Sequence, residues 1–272
     1  MLVSLYTIAL LSFSLNEAES FSSRGGKAHL SPLHLAPQDE DLTAPSDILE
    51  CSVPTNPVLC DRLKCELYQL GASYDRGFGA SPGARAKAQA VVEELERMTP
   101  ENAAAQGIEG THPNGSPLAG SWRMIWTTAV DVLLLNASPV FITGAVHQVF
   151  DPPVVTNVID FLPRAQSLFP PDVVPSSLLR AKVQTKASPR QNKPNRVGLL
   201  FEKVQVQPLQ ILGVDVNMVP PLGFNLPKLP GTDNGDSPGY FDVTYLDHEL
   251  LVIRQNAPGG LFALVRVNSI DP

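Results

Sequence analysis

The chain is poor in the residues that would make several function classes easy to read. It has three cysteines, Cys51, Cys60 and Cys65. An odd count excludes complete internal pairing and a disulfide-stapled scaffold, and no CxxC or zinc-type His/Cys spacing accompanies them. Positive charge is scarce: 20 Lys and Arg face 27 Asp and Glu, giving a net charge of −7. That balance excludes a nucleic-acid binder that relies on bulk positive charge. The longest apolar run, residues 2–15, falls short of the roughly 20 residues needed to span a bilayer. GxGxxG, Walker A, GxSxG and HExxH sequences are all missing, and no catalytic residue, metal ligand set or cofactor is assigned. Proline, by contrast, is abundant. The 26 prolines are about 10% of the chain, twice the usual share of about 5%, so long helices cannot dominate it.

The amino terminus reads as an address. The uncharged run at 2–15 has the length of a signal-peptide core, and Ala18-Glu19-Ser20 supplies small residues for cleavage before Phe21. Residues 21–38 contain no acid but carry Arg24, Lys27, His29 and His34, which is transit-peptide composition. A signal peptide at 1–20 with a transit-like segment and linker at 21–55 resembles the bipartite presequence of algae with secondary plastids. The alternative is an ordinary secretory signal followed by a linker. The sequons at Asn114 and Asn136 fit passage through the endoplasmic reticulum under either reading.

Residues 56–118 are expected to form a helical amino-terminal part. Leu59, Leu63, Leu67 and Leu70 share one helical face with Gly71 as a stop, and Ser81-Pro82 opens a second helix that ends before Pro100. Residues 101–118 read as a loop. From Gly120 the period becomes two. Trp122, Met124 and Trp126 alternate with Arg123, Ile125 and Thr127, and about nine short strands follow, including 196–207, 209–217 and a final meander. Such spacing predicts a mainly β fold, an antiparallel sandwich or barrel over 119–270.

Candidate site residues are apolar. Trp122 and Trp126 fall on one face of the first strand, where large rings line a cavity or fill it. Met124 shares that face, and Phe141 lies in a greasy stretch at 130–146. The segment 217–230 carries Met218, Leu222, Phe224 and Leu226 among prolines that keep it extended, so these side chains need a partner: a barrel mouth, a lipid surface or the outer sheet. His147 in a strand, Asp160 in an apolar strand and His248 beside Asp247 are the only acid–base candidates. An outward-facing Asp160 and a solvated turn at His248 explain two of them without chemistry.

The residues 120–128, Gly-Ser-Trp-Arg-Met-Ile-Trp-Thr-Thr, resemble the Gly-x-Trp-x-x-x-Tyr-Thr-Thr strand of the plastid lipid-associated proteins, the fibrillins. Val92-Glu93-Glu94-Leu95-Glu96 with Thr99-Pro100 is similar to that family's helix end, and 148–151 and 156–159 to its next hairpin. The block from Gly239 through Thr244-Tyr245-Leu246-Asp247, followed by Leu251-Val252-Ile253-Arg254 and Leu261-Phe262, is similar to its carboxyl-terminal block, with a longer loop after Arg254. The similarity covers about 59–268. It implies a lipocalin-like antiparallel barrel behind two short helices, a plastid location at plastoglobules or thylakoids, and non-catalytic binding of apolar lipids such as carotenoids and quinones. The Gly120-x-Trp122 of the first strand and Arg254 near the end also resemble the lipocalins, a likeness which implies that Trp122 stacks on Arg254 and closes the barrel base. Two rival classes remain: a secreted lipocalin-like carrier, and a barrel enzyme of isomerase or cyclase type using His147 or Asp160.

Overall fold

In a computed structural model the described residues are 56–99, 103–170, 173–191, 193–226, 239–256 and 259–270. The expectations for the presequence and for 227–230 lie outside them. Helix α1 (Pro57–Ser73) is capped by the Asn56 side chain, which accepts from the Leu59 amide, and has Pro57 in its first turn. Helix α2 (Pro82–Glu96) repeats this device with Ser81 and Pro82. Gly71 does not stop α1. It lets the helix touch the strand beneath, because a Cβ there would collide with the Ile125 carbonyl.

Ten antiparallel strands follow: β1 (Gly120–Thr127), β2 (Phe141–Asp151), β3 (Val154–Pro163), β4 (Leu178–Arg190), β5 (Lys193–Ile211), β6 (Val214–Asp215), β7 (Leu222–Asn225), β8 (Gly239–Leu246), β9 (Leu250–Gln255) and β10 (Gly260–Val267). A six-residue helix, α3 (Val130–Leu135), separates β1 from β2. The strands pair in the order β4-β3-β2-β1-β10-β9-β8-β5, and β4 pairs with β5, so eight of them close into a barrel. The two strands expected at 196–207 and 209–217 are largely one, β5, which continues through Pro208. Its first half pairs with β8, and its second half carries β7 and β6 on the same edge.

Two β-bulges decide how the helices sit. A bulge adds one residue to a strand and reverses which face the following side chains occupy. One lies between Met124 and Trp126, the other between Val243 and Tyr245. Before them, Trp122, Met124, Phe241 and Val243 point into the barrel; after them, Trp126 and Tyr245 point out, under α1 and α2. The expected common face for Trp122 and Trp126 is therefore corrected: Trp126 is fully buried, but among Leu63, Leu67, Val92 and Leu95 on the outside of the sheet.

The helices are also locked by charge. Lys64, on the buried face of α1, reaches the turn between β8 and β9, with Nζ 2.6 Å from Asp247 and 3.0 Å from Glu249. Asp247 accepts from the Tyr245 hydroxyl at 2.6 Å and from the amides of Glu249 and Leu250. Burial alone pushes the Asp247 carboxyl up, but the Lys64, Tyr245 and amide hydrogen bonds outweigh it and hold the group below its ordinary value. Burial pulls Lys64 down, and its two carboxylate partners more than reverse this. Tyr68, beside them, is pushed up to about 12, chiefly by burial.

Asp247, depressed in the fold, contributes stability that is complete above its unfolded pKa of about 3.9 and is lost as pH falls through the folded value. Lys64, raised in the fold, contributes stability that is complete below about 10.4 and is lost as pH rises through the folded value. Urea titrations across pH are expected to show a plateau between these limits. Lys64→Met should lower the plateau by about 3–5 kcal/mol, because it strands a buried carboxylate, and should shrink the alkaline decline. Parallel pH profiles for the two proteins would contradict the lock.

Candidate functional site

The barrel has two unlike ends. At the base, the segment 103–119, a loop by composition, places Ala104, Ala105, Ile108 and Leu118 in the barrel core, each almost fully buried. It is pinned to the start of β5, where the Ala105 amide donates to the Pro194 carbonyl and the Ala104 amide to Asn195 Oδ1. Trp122 sits above this plug, fully buried, and its indole Nε1 donates to the Leu118 carbonyl at 2.9 Å.

The cation stacked on Trp122 is Arg266, not Arg254. Trp122 and Arg266 are partners in the β1–β10 register, and the guanidinium lies 4.1 Å from the ring centroid. Arg266 donates to the carbonyls of Ala119, Pro117 and His248, closing the base from the solvent side. Gly120, at φ +122°, leaves the space it occupies: a Cβ there would fall 2.8 Å from Arg266 Nη1. Arg254 lies on the outer face of β9 and forms a two-bonded pair with Glu96 of α2 at 2.7 and 2.8 Å, so it fastens a helix and not the barrel base. Alternation along β9 puts Ile253 inside and Arg254 outside, which is why an Arg at the end of that strand cannot reach the lumen.

Toward the other end the inward side chains are less buried. Val146, Ile159, Val183, Leu199 and Phe262 face inward yet remain only half-buried, so the lumen there is not filled by side chains. Phe141 packs edge-on to Phe161, 6.5 Å between centroids, beside Leu179 and Val206. Helix α3 lies over this opening, with Leu135 and Val132 turned toward the barrel. The Asn136 side chain holds α3 to β2 by accepting from the Thr143 amide, and Arg164 donates to the carbonyls of Asn136, Ser138 and Phe141.

The remaining sequence candidates separate cleanly. Met124 lines the lumen and is buried, and Phe262 is half-buried on the same face. Phe224 pairs with Val204 and is half-buried, as is Leu226. Met218 and Leu222 are 94% and 74% exposed. Thr244 donates to the Val252 carbonyl in the second bulge, while Tyr245 and Asp247 serve the Lys64 lock. His147 and Asp160 lie on outward faces of β2 and β3; Asp160 is held by Arg180 at 2.7 and 3.0 Å, so neither supplies the lumen with an acid or base. His248 stands in an exposed turn.

Sequence reasoning missed Arg266, the plug, and a polar pair inside the lumen, Gln148 and Asn157. Pairing the first strand with the last would have found Arg266, the only cation in β10.

A closed eight-stranded antiparallel barrel behind two short helices, stoppered at one end by a Trp–Arg stack, is a lipocalin-like fold. The family model described as PAP_fibrillin matches residues 61–265. The chain belongs to this PAP/fibrillin family of plastid lipid-associated proteins. Neither a curated protein nor a solved structure matches it.

Trp122→Ala is expected to cost about 3–5 kcal/mol, the range for a buried large aromatic. A double-mutant cycle should give a coupling of about 0.5–1 kcal/mol between Trp122 and Arg266, an exposed cation on a ring face, and none between Trp122 and Arg254. Coupling to Arg254 alone would overturn the base described above.

Proposed function

We infer that the protein takes apolar lipids, isoprenoids such as carotenoids and quinones, into the barrel and docks mouth-first on a plastoglobule or thylakoid surface, without catalysing a reaction. The observation that carries this reading is where the exposed large apolar side chains lie. Leu134 lies on α3 and Val140 shortly after it, Leu168 and Phe169 follow β3, and Leu212, Val214, Met218 and Leu222 surround the end of β5. Hydrogen bonds tie these segments into one rim: the Arg164 amide to the Val140 carbonyl, the Ser177 amide to Gln166 Oε1, and the Gly213 amide to the Ser176 carbonyl. The rim borders the half-filled lumen, and the opposite end carries the polar Arg266 stopper.

An apolar rim this extended is what a lipid interface accepts, because each side chain moved fully out of water gains about 1.5–3 kcal/mol. Two or three inserted residues give reversible attachment without an anchor. No helix among the described residues is long and apolar enough to cross a membrane. The plastid location rests on family membership together with the transit-like amino terminus.

The test is a triple substitution, Leu212→Ser, Met218→Ser and Leu222→Ser, at side chains that already face solvent. Flotation with lipid droplets should be lost while the melting temperature stays within about 2 °C of wild type, since exposed positions contribute little to the fold. Flotation at the wild-type level would contradict docking by the rim.

A further inference from the structure

The lumen is lined largely by aliphatic and aromatic side chains; its polar positions include Thr185, whose hydroxyl donates to the Val155 carbonyl, Thr143, level with Phe161, and one amide pair. Gln148 on β2 and Asn157 on β3 are register partners facing inward, one step above the Phe150 and Val155 layer that meets the plug. Gln148 also stands opposite Trp122 of β1. Gln148 Nε2 donates to Asn157 Oδ1 at 3.2 Å.

The pair is half satisfied. Gln148 is 7% exposed, and its Oε1 is shielded with no hydrogen-bond partner. Asn157 is only half-buried on the inward face, and among the described residues its amide nitrogen has no acceptor and is not shielded. Reversing both amides would leave a shielded N–H of Gln148 unpartnered in place of a carbonyl, which is the rarer and costlier orphan. The arrangement therefore turns a donor toward the open space and keeps acceptors away from it.

A half-satisfied amide pair inside a mostly apolar lumen costs stability that two leucines would not. It has a use when a ligand brings an acceptor oxygen to it. From that station the inward path toward the mouth runs past Val146 and Ile159 to Phe161, all apolar, with Thr143 beside Phe161 at its far end.

We propose that the Gln148–Asn157 pair is a head-group station: the barrel takes an amphiphile with a carbonyl head and an apolar tail, the head oxygen accepting from Asn157 Nδ2 and the tail running out to the mouth. This rests on the lumen-binding reading above and narrows it, since it favours oxygenated isoprenoids, quinones above all, over plain hydrocarbons.

Two strand spacings of about 4.8 Å separate Trp122 from Asn157, so a quinone ring at the station lies close enough to quench indole emission. Decylubiquinone is titrated into the full chain with tryptophan emission as the readout, and n-decylbenzene is used to displace it. Gln148→Leu/Asn157→Leu, checked by melting temperature, should bind the quinone about fivefold more weakly, the loss of one net hydrogen bond. Displacement by decylbenzene should be as efficient as before or better. Asn157→Asp keeps the shape but presents only acceptors, and must show a loss at least as large, which covers a misfolded double variant. Unchanged quinone affinity in a folded variant overturns the station while leaving lumen binding intact. If wild type binds neither probe, lumen binding itself fails and the station with it.

Discussion

The barrel depends on one buried ring. Trp122 is at once the floor of the lumen, the roof of the plug through its bond to Leu118, and the face on which Arg266 rests. A small barrel with both ends alike either fills with side chains or leaks at both ends. Closing one end with a large aromatic, a plug and a cation leaves the rest of the lumen free of that duty. The other end can then hold half-buried side chains such as Ile159 and Val183 without loss of the fold.

The same economy explains the helices. A barrel sheet with an apolar outer face would aggregate, and here α1 and α2 cover the outside of β8, β9, β10 and β1. The two bulges supply what the helices bind, by turning Trp126 and Tyr245 outward in neighbouring parts of the sheet. The Lys64–Asp247–Tyr245 cluster then fixes the position of α1, and Arg254–Glu96 does the same for α2. In the Thr-Tyr-Leu-Asp block that marks the family in this sequence, Tyr245 and Asp247 are thus a docking device for a helix, while Leu246 packs in the barrel interior.

Period-two alternation, Ser81-Pro82 and the apolar face of α1 are local signals, and the strands and both helices were legible from them. Arg266, by contrast, becomes meaningful only once the last strand is seen to pair with the first, a contact between residues far apart in the chain. The bulges hide for a related reason. Met124-Ile125-Trp126 reads as unbroken alternation, and only the slip against Leu264 and Ala263 reveals the extra residue. Gly71 looked like a helix stop because its steric role depends on Ile125, on another element. The plug is invisible in the sequence since its glycines and prolines signal a loop whether it lies outside or inside. In the candidate site, Met218 and Leu222 were legible as apolar residues without a partner, whereas Gln148 and Asn157 look like ordinary polar positions until the register turns them inward.

The proposed occupant of the lumen above Trp122 is an apolar lipid. Native mass spectrometry of the protein incubated with a plastid lipid extract tests it directly, alongside Val183→Trp, which fills the lumen from β4. The expected result is a one-to-one lipid adduct on the wild-type chain, removable by organic extraction and absent from the folded Val183→Trp protein. A wild-type chain that carries no adduct, or a lumen-filled chain that carries the same one, would contradict it.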